Sequence, residues 1–467
     1  MEIFMHNAMN NRYIRVALCL LISFFLNACS DFSQGNGFDS VKATVKQQTG
    51  RDIEWPKTAA AEDDLGKRID ILMSKPLDID AAVEVALLNN KRLRASFYDL
   101  GISQADLVQA GRLPNPRFAM LYARNSGDYK IEQALTFNIF SLLTMPKAKA
   151  IEQQRFELTQ KEVAQDVLRL AREVRIAWVQ AVSANESLRY MTQVKVAAEA
   201  SAELANRMTI AGNWSQLDRA REQGFYAEAM LEYSHAKNAQ TISREQLVRL
   251  LSLSGDQRDF VLAERLPDLP QQPDALPDAE KEAMQQRLDL QIVRMETDRL
   301  AKALGLTRTT RFINVLELGP ARVLEGGRSE PYKNGVEIAF ELPLFDWGEA
   351  RVAKAEARYM QALNSAAQQV VNAQSEVRQS YAIYRTHYDI TKHYRDEIVP
   401  LKKTISAENQ LRYNGMLVSV FDLLADARTQ ISSVNQYIQS LRDFWIAQSD
   451  LQMSLIGSIA SNEKEAQ

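Results

Sequence analysis

The sequence predicts a mainly α-helical protein with a membrane β-barrel, built from two tandem repeats. Three observations support this prediction. They are internal similarity at one fixed spacing, very long helical stretches that are poor in proline, and short segments in which apolar and polar residues alternate. Each repeat is expected to consist of a helix, a β-hairpin and a long coiled helical hairpin.

The internal similarity covers the segment Phe137–Gly212, which recurs as Phe340–Gly415 at a constant offset of 203 positions. Within it, the motif Glu-Val-Arg occurs in both copies at the same offset, at 173–175 and at 376–378. A single offset held over so many residues indicates a duplicated unit rather than chance.

Each copy contains one very long predicted helix. In the first copy it extends from Lys147 to Ala211, which corresponds to about 100 Å at a rise of about 1.5 Å per residue. A helix of that length has to coil against other helices. Apolar or small residues follow the required three- and four-residue spacing at Val163, Val167, Leu170, Val174, Ala177, Ala181, Ala184, Leu188 and Met191.

A tight turn and a returning helix follow each long helix. Gly212 and Gly415 mark the two turns, and the returning helices are expected to end near Leu253 and Leu455. Pro400 is expected to kink or briefly break the second long helix. The second returning helix has an apolar seam of its own, at Leu424, Ala427, Ile431, Val434, Ile438, Leu441 and Trp445.

Four segments are predicted to be strands: Arg117–Ala123, Ile131–Phe140, Phe312–Leu318 and Val336–Phe345. A turn at 124–128 joins the first two, and a loop at 319–334 joins the last two. In the last segment one face is apolar, formed by Val336, Ile338, Phe340, Leu342 and Leu344.

Strands of about ten residues with this alternation are typical of transmembrane β-barrels. The alternative is a soluble, half-buried sheet. Four strands cannot close a barrel, and an open sheet edge cannot lie in hydrocarbon. A membrane location therefore requires several chains to contribute strands to one barrel.

We divide the chain into six parts: a signal peptide (1–28), a lipid-anchored N-terminal arm (29–76), a first repeat (77–266), a proline-rich linker (267–277), a second repeat (278–457) and a C-terminal tail (458–467). The arm lacks sustained periodicity and is expected to be a tether or a surface-running arm. A helix from Leu77 to Gly111 is expected to open the first repeat. The prolines of the linker exclude a helix there.

The N-terminus resembles a secretory leader that ends in a lipid attachment site. Arg12 and Arg15 precede the apolar run Val16–Phe25, which is too short to span a membrane. Leu26–Cys29 then resembles the bacterial lipobox, in which the cysteine is acylated. Ser30 follows, and by resemblance to bacterial lipoproteins a serine there directs the protein to the outer membrane.

Two motifs and the duplicated architecture together resemble the TolC family of outer-membrane efflux proteins, and more closely its lipoprotein members, the outer-membrane factors of tripartite pumps. The motifs are LPLFDWGEARVAKAEA at 342–357, after the last strand, and YNG at 413–415 followed by FDLLADA at 421–427, at the second turn. The resemblance covers Leu77 to about Gly457. The chain departs from the family at Met145–Ala150, where a Gly-Lys/Arg pair is usual, and in a spacing from Gly415 to Asp422 that is one residue longer than usual.

The resemblance implies a homotrimer, with a twelve-stranded barrel in the outer membrane and an α-helical barrel in the periplasm. It also implies three kinds of partner: a periplasmic adaptor (membrane fusion) protein, an inner-membrane transporter of the resistance-nodulation-division (RND) type, and outer-membrane lipid. The protein is expected to be lipid-anchored in the cell outer membrane and to extend into the periplasm.

The site residues expected on this basis fall into three groups. The lipid is expected on Cys29. The helix turns are expected to form the periplasmic tip at which the adaptor docks, through Gly212, Asn213, Gly415 and Met416. The pore constriction is expected at Asp422 and Asp426, one helical turn apart, with a solvated helix face as the alternative.

The expected function is that of a passive exit duct that conducts substrates from an inner-membrane pump and an adaptor across the outer membrane. The alternatives are the duct of type I protein secretion and a lipid-anchored periplasmic coiled-coil scaffold. No enzyme activity, metal site or cofactor beyond the lipid is expected, since His387 and His393 lack the four-residue spacing of a helical metal site. The formal net charge of −3 argues against a nucleic-acid partner.

Overall fold

The structure is a computed structural model that describes residues 35–312, 315–327 and 329–459. The predicted signal peptide and Cys29 lie outside these residues. The helices are α1 (Phe38–Thr49), α2 (Ala59–Met73), α3 (Ile79–Asn89), α4 (Lys91–Ala110), α5 (Ile139–Ile210), α6 (Gln216–Leu251), α7 (Ala279–Gln286), α8 (Leu288–Thr310), α9 (Glu349–His393), α10 (Val399–Asn414) and α11 (Val420–Ile456). The strands are β1 (Arg117–Asn125), β2 (Asp128–Asn138), β3 (Leu316–Gly326) and β4 (Lys333–Phe340).

The chain divides into two compact units. Among the described residues, the sheet unit comprises 35–39, 99–160 and 294–365, and it holds all four strands. The helical unit comprises 40–98, 161–293 and 366–459. The predicted order of helix, hairpin, long helix, turn and returning helix occurs twice along the chain.

The seam predicted on the first long helix lies in the core of the helical unit. Val163, Val167, Leu170 and Val174 are all buried, as are Ala177, Ala181 and Met191, while Ala184 and Leu188 are half-buried. The second returning helix buries Ile438 and Leu441 of its seam. The three- and four-residue spacing therefore identified the faces through which the helices pack.

The N-terminal arm is more ordered than its sequence predicts. It forms α1 and α2, and each helix buries two apolar residues four positions apart, Val41 with Val45 and Leu65 with Ile69. One such pair is too short a pattern to establish helical periodicity. The prediction that the arm lacks sustained helical periodicity was therefore wrong for residues 38–49 and 59–73.

The helix predicted from Leu77 to Gly111 is broken at Asn90, between α3 and α4. Asn90 is buried, and its side-chain amide donates to the carbonyl of Leu250 at 2.8 Å while its side-chain oxygen accepts from Leu93 N at 2.9 Å. One side chain thus starts α4 as an N-cap and holds the break against the end of α6.

The corresponding break in the second repeat lies between α7 and α8 and is held by an ion network. Arg287 is fully buried and forms two hydrogen bonds to the Asp289 carboxylate, at 3.0 and 2.7 Å. It also donates to Glu376 at 2.7 Å and to the carbonyl of Ser454 at 2.8 Å. Burial opposes its charge, but the hydrogen bonds to Asp289 and Glu376 outweigh this effect and raise the pKa of Arg287.

Strand β3 differs most from its prediction. It begins at Leu316 and continues to Gly326, through the Gly319-Pro320 pair that indicates a loop in sequence. Leu318 faces Phe137 and Ala321 faces Ala134, so the register with β2 is the same on both sides of Gly319-Pro320. Glycine is required at 319 because a Cβ atom there would collide with the carbonyl oxygen of Leu135.

Two other strand boundaries were wrong. β2 ends at Asn138, and α5 begins at once, because the Asn138 side chain accepts from Ser141 N at 2.8 Å and caps the helix. β4 ends at Phe340, so Leu342 and Leu344 lie beyond the strand. The Asp346-Trp347-Gly348 turn follows, in which Asp346 accepts from Gly348 N at 2.7 Å and Gly348 has a φ of +76°.

The predicted interruption at Pro400 is confirmed. A π-helical turn, Tyr394–Ile398, separates α9 from α10. The first long helix, α5, contains no such turn. A π turn takes up more residues than an α turn, and the offset between repeats increases accordingly from 203 at Glu173 and Glu376 to 204 at the helix caps Ser215 and Ser419.

This one-residue shift changes the second helix turn. At the first turn, Gly212 has a φ of +80° and Asn213 N donates to the carbonyl of Met208 at 2.9 Å, as in a Schellman motif. At the second turn, the left-handed residue is Met416, with a φ of 59°, whereas Gly415 has a φ of −83°. The second turn therefore takes its positive φ from Met416 and not from the glycine that precedes it.

We expect Asp289→Ala to destabilise the helical unit by about 3 kcal/mol, because it leaves the buried guanidinium of Arg287 without its bidentate partner. Urea unfolding followed by helical circular dichroism measures the effect. The matched control is Asp64→Ala, which removes an exposed ion pair with Lys67 and should change little. Equal effects of the two substitutions would contradict the role of the network.

We expect Gly212→Ala to destabilise the first turn by about 1 kcal/mol, because alanine is strained at its positive φ. Gly415→Ala should be nearly neutral, since its backbone suits any residue and no atom lies closer than 3.5 Å to the added Cβ. Amide hydrogen exchange at each turn distinguishes the two. Similar increases in exchange at both turns would contradict the conclusion that Met416, and not Gly415, has the positive φ at the second turn.

Candidate functional site

The four strands form one antiparallel sheet in the order β1-β2-β3-β4. Facing pairs fix which side chains share a face, since Tyr122 faces Ile131 and Ile131 faces Leu324. The apolar face defined in this way carries Phe118, Met120, Tyr122, Ile131, Leu135, Phe137, Leu316, Leu318, Leu324, Val336, Ile338 and Phe340. The predicted alternation of β4 thus extends over all four strands.

The opposite face of the sheet is polar. It carries every carboxylate of the four strands, at Asp128, Glu132, Glu317, Glu325 and Glu337. Lys130 pairs with Glu132 at 2.8 Å, and the Thr136 hydroxyl donates to Glu317 at 3.0 Å. The sheet therefore separates an apolar surface from a charged one.

The apolar face is largely exposed within the chain. Val336, Ile338 and Phe340 on β4 are each at least 60 % exposed, and Phe118 on β1 is equally open. Among the described residues, β1 pairs only with β2, and β4 pairs only with β3. The sheet therefore ends in two edges whose outward backbone groups are available to further strands.

The predicted tip residues lie at the two helix turns of the helical unit. Gly212 and Asn213 form the turn between α5 and α6, and Gly415 and Met416 form the turn between α10 and α11. Met416 is 94 % exposed, and its neighbour Leu417 is 78 % exposed. The second tip therefore presents large apolar side chains to its surroundings.

Asp422 and Asp426 each have a hydrogen-bond partner within the chain. Asp422 closes a capping box at the start of α11, where its carboxylate accepts from the Ser419 hydroxyl at 2.7 Å. Asp426 accepts from the side-chain amide of Asn409 on α10. Both carboxylates thus help to fix the second turn, and Asp422 remains exposed.

A buried ion pair that was not predicted from the sequence links α6 to α11, the two helices that begin at the tips. Glu222 on α6 is 2 % exposed and pairs with Arg428 on α11 at 2.7 Å. Ser201 donates to the same carboxylate at 2.7 Å, and the Arg428 guanidinium lies 4.2 Å from the ring centre of Phe225. Glu222 aligns with another carboxylate, Asp426, only when the two repeats are compared at an offset of 204 positions. A comparison at 203 positions therefore does not reveal this shared acidic position.

In the part of the chain that the structure describes, no helix is long and apolar enough to cross a membrane. The histidine, cysteine, aspartate and glutamate side chains of the same residues form no group of three or more that could hold a metal ion.

This architecture also occurs in known proteins. No protein-family model matches the chain. The cobalt-zinc-cadmium resistance protein CzcC of Cupriavidus metallidurans is 24 % identical over 308 residues, which cover 64 % of this chain and 72 % of that protein.

Solved structures match over most of the chain. The outer-membrane channel CmeC of Campylobacter jejuni superposes with a TM-score of 0.69 at 15 % identity, covering 91 % of this chain and 92 % of that one. The open state of the outer-membrane channel MtrE of Neisseria gonorrhoeae gives a TM-score of 0.67 at 17 % identity, with coverages of 81 % and 89 %. The chain therefore has the fold of these outer-membrane channels, in agreement with the fold that its resemblance to the TolC family implies.

Proposed function

We propose that this protein is the outer-membrane exit duct of a tripartite efflux system. The observation that carries the proposal is the sheet, which combines an exposed apolar face, a charged opposite face and two open edges. A transmembrane barrel requires an apolar surface that faces lipid and a polar surface that lines its aqueous lumen. The fold shared with outer-membrane channels supports the same conclusion.

The duct is a homotrimer in this proposal. An unpaired sheet edge is not tolerated in hydrocarbon, so β1 of one chain has to pair with β4 of the next. Three chains of four strands make a closed barrel of twelve strands, wider than the eight-stranded barrels whose interior is filled by side chains. The long helices of the three chains form the periplasmic α-helical barrel.

The proposal also includes a lipid anchor and a location in the outer membrane. Cys29 carries the lipid, and the protein is anchored in the outer membrane and extends into the periplasm. The basic and apolar leader, Leu26–Cys29 and Ser30 support this assignment. Mass spectrometry of the mature N-terminus detects the lipid or its absence.

The tips are the docking site of the adaptor, which in turn connects the duct to an RND-type inner-membrane transporter. The exposed Met416 and Leu417 support this assignment, together with Ile210 and Leu217 at the first tip, since apolar side chains at a surface favour a protein partner. The name of the relative CzcC concerns cobalt, zinc and cadmium, which makes metal cations a candidate cargo for this duct. A type I secretion duct is the alternative that shares this fold.

We expect Ile338→Lys to impair membrane insertion, because a lysine on the lipid-facing side of a barrel costs roughly 2–4 kcal/mol at the middle of the bilayer. The matched control is Glu337→Lys, which places the same charge on the neighbouring residue and the polar face. Carbonate extraction of membranes measures insertion. Equal tolerance of the two variants would identify the sheet as soluble.

We expect replacement of both Asp422 and Asp426 by Ala to alter single-channel conductance or cation block in planar bilayers. Three copies of each carboxylate at a narrow mouth would repel one another and attract cations. Asp218→Ala is the control, because it removes the equivalent capping box of the first turn. A conductance that changes equally in the control, or in neither variant, would refute the acidic constriction.

We expect cysteines at Asn213 or Met416 to crosslink to the adaptor in cells that produce both proteins. The exposed position Lys237 on α6 supplies the control. Crosslinks from Lys237→Cys alone would move the docking site from the tips to the sides of the helices.

A further inference from the structure

The apolar face of the sheet changes character from one end to the other. Nearest to the helices, its cross-strand pairs are wholly apolar, as in the pairs Phe118–Leu135 and Pro320–Val336. The next row toward the hairpin turns contains Met120, Gln133, Arg322 and Asn334. We call this row and the rows beyond it, up to the turns, the arginine–tyrosine zone.

Two arginines are the only charged strand residues on the apolar face, Arg124 on β1 and Arg322 on β3. All five strand carboxylates lie on the opposite face, and no carboxylate among the described residues lies within 4.0 Å of either guanidinium. The apolar face therefore has a net positive charge in this zone.

Neighbouring side chains orient both arginines without neutralising them. Arg322 donates to the side-chain oxygen of Gln133 at 2.5 Å, and its guanidinium lies 4.8 Å from the ring centre of Tyr332. Arg124 lies 5.5 Å from the ring centre of Tyr129, which in turn lies 6.3 Å from that of Tyr122. Both cations are thus held on aromatic rings and keep donors for a further partner.

We propose that the arginine–tyrosine zone binds the phosphate groups of the membrane lipid that surrounds this end of the sheet. The proposal rests on the proposed function, in which the apolar face meets lipid. A cation on that face raises the free energy of insertion at the middle of the bilayer and changes it little at the membrane–water interface. Tyrosines are enriched at this interface. Arg322 and Arg124 therefore mark the level of the head groups.

The chemistry of the zone selects phosphate. A guanidinium presents parallel donors that match two phosphate oxygens, and its charge is complementary to an anionic head group. The hairpin turn at Ser126-Gly127 belongs to the same end of the sheet, so the zone faces the leaflet into which these turns project. In an outer membrane with the helices in the periplasm, that leaflet contains phosphorylated glycolipid.

The test uses the full-length protein in nanodiscs of phosphatidylethanolamine that contain bisphosphorylated lipid A. Native mass spectrometry counts the lipid A molecules that stay bound. Arg322→Gln and Arg124→Gln should each weaken retention by about fivefold, and Arg322→Lys should weaken it less because it keeps the charge. The matched control is Lys333→Gln, which removes a cation at the same level from the polar face and should change nothing.

Dephosphorylated lipid A supplies the second comparison. The wild-type protein should retain it as poorly as the arginine variants retain the phosphorylated form. Equal retention of both lipids, or of phosphorylated lipid A by all variants, would overturn the proposal. Carbonate extraction first establishes that each variant is inserted, so a wild-type chain that fails to insert refutes the proposed duct, whereas an inserted chain without lipid preference refutes only this site.

Discussion

The backbone hydrogen bonds at the sheet edges constrain the whole architecture. Within the described chain, β1 and β4 each pair on one side only, while the face that they share is apolar and exposed. In water such a sheet would aggregate, and in lipid its edges would be intolerable. The proposed duct resolves both problems, because further copies of the chain would continue the sheet until it closes. In that proposal oligomerisation is a condition of stability, and the channel is its result.

The helical unit meets a different requirement, because long helices packed through small residues need fixed ends. Polar side chains at the helix breaks and tips supply them. Asn90 holds the first break through uncharged hydrogen bonds, whereas Arg287 holds the second through a buried ion network. At the tips, Glu222 and Arg428 join α6 to α11. The two repeats therefore share one plan and differ in the chemistry that secures it.

Periodicity predicted the features that depend on it. The seam from Val163 to Met191 and the alternation at Val336, Ile338 and Phe340 lie as expected, because a buried face imposes its spacing on the sequence. Features that depend on distant partners could not be predicted in this way. The burial of Arg287 is understandable only once Asp289 and Glu376 are known to surround it.

The candidate site shows the same division. The positions of the tips followed from the repeat, but Met416 adopts positive φ in place of Gly415 because the π turn shifts the register by one residue. The contact of Arg322 with Gln133 in the arginine–tyrosine zone became visible only through the strand register, since the two residues are 189 positions apart in sequence. Local propensity contains no information about such cross-strand neighbours.

The central claim is that the open edges are closed by further copies of this chain within a membrane. Native mass spectrometry of the full-length protein, extracted from membranes in mild detergent, counts those copies directly. The account predicts a complex of three chains, in agreement with twelve strands in one barrel. A membrane-extracted protein with a single copy, or a monomer that remains in the aqueous fraction, would contradict it.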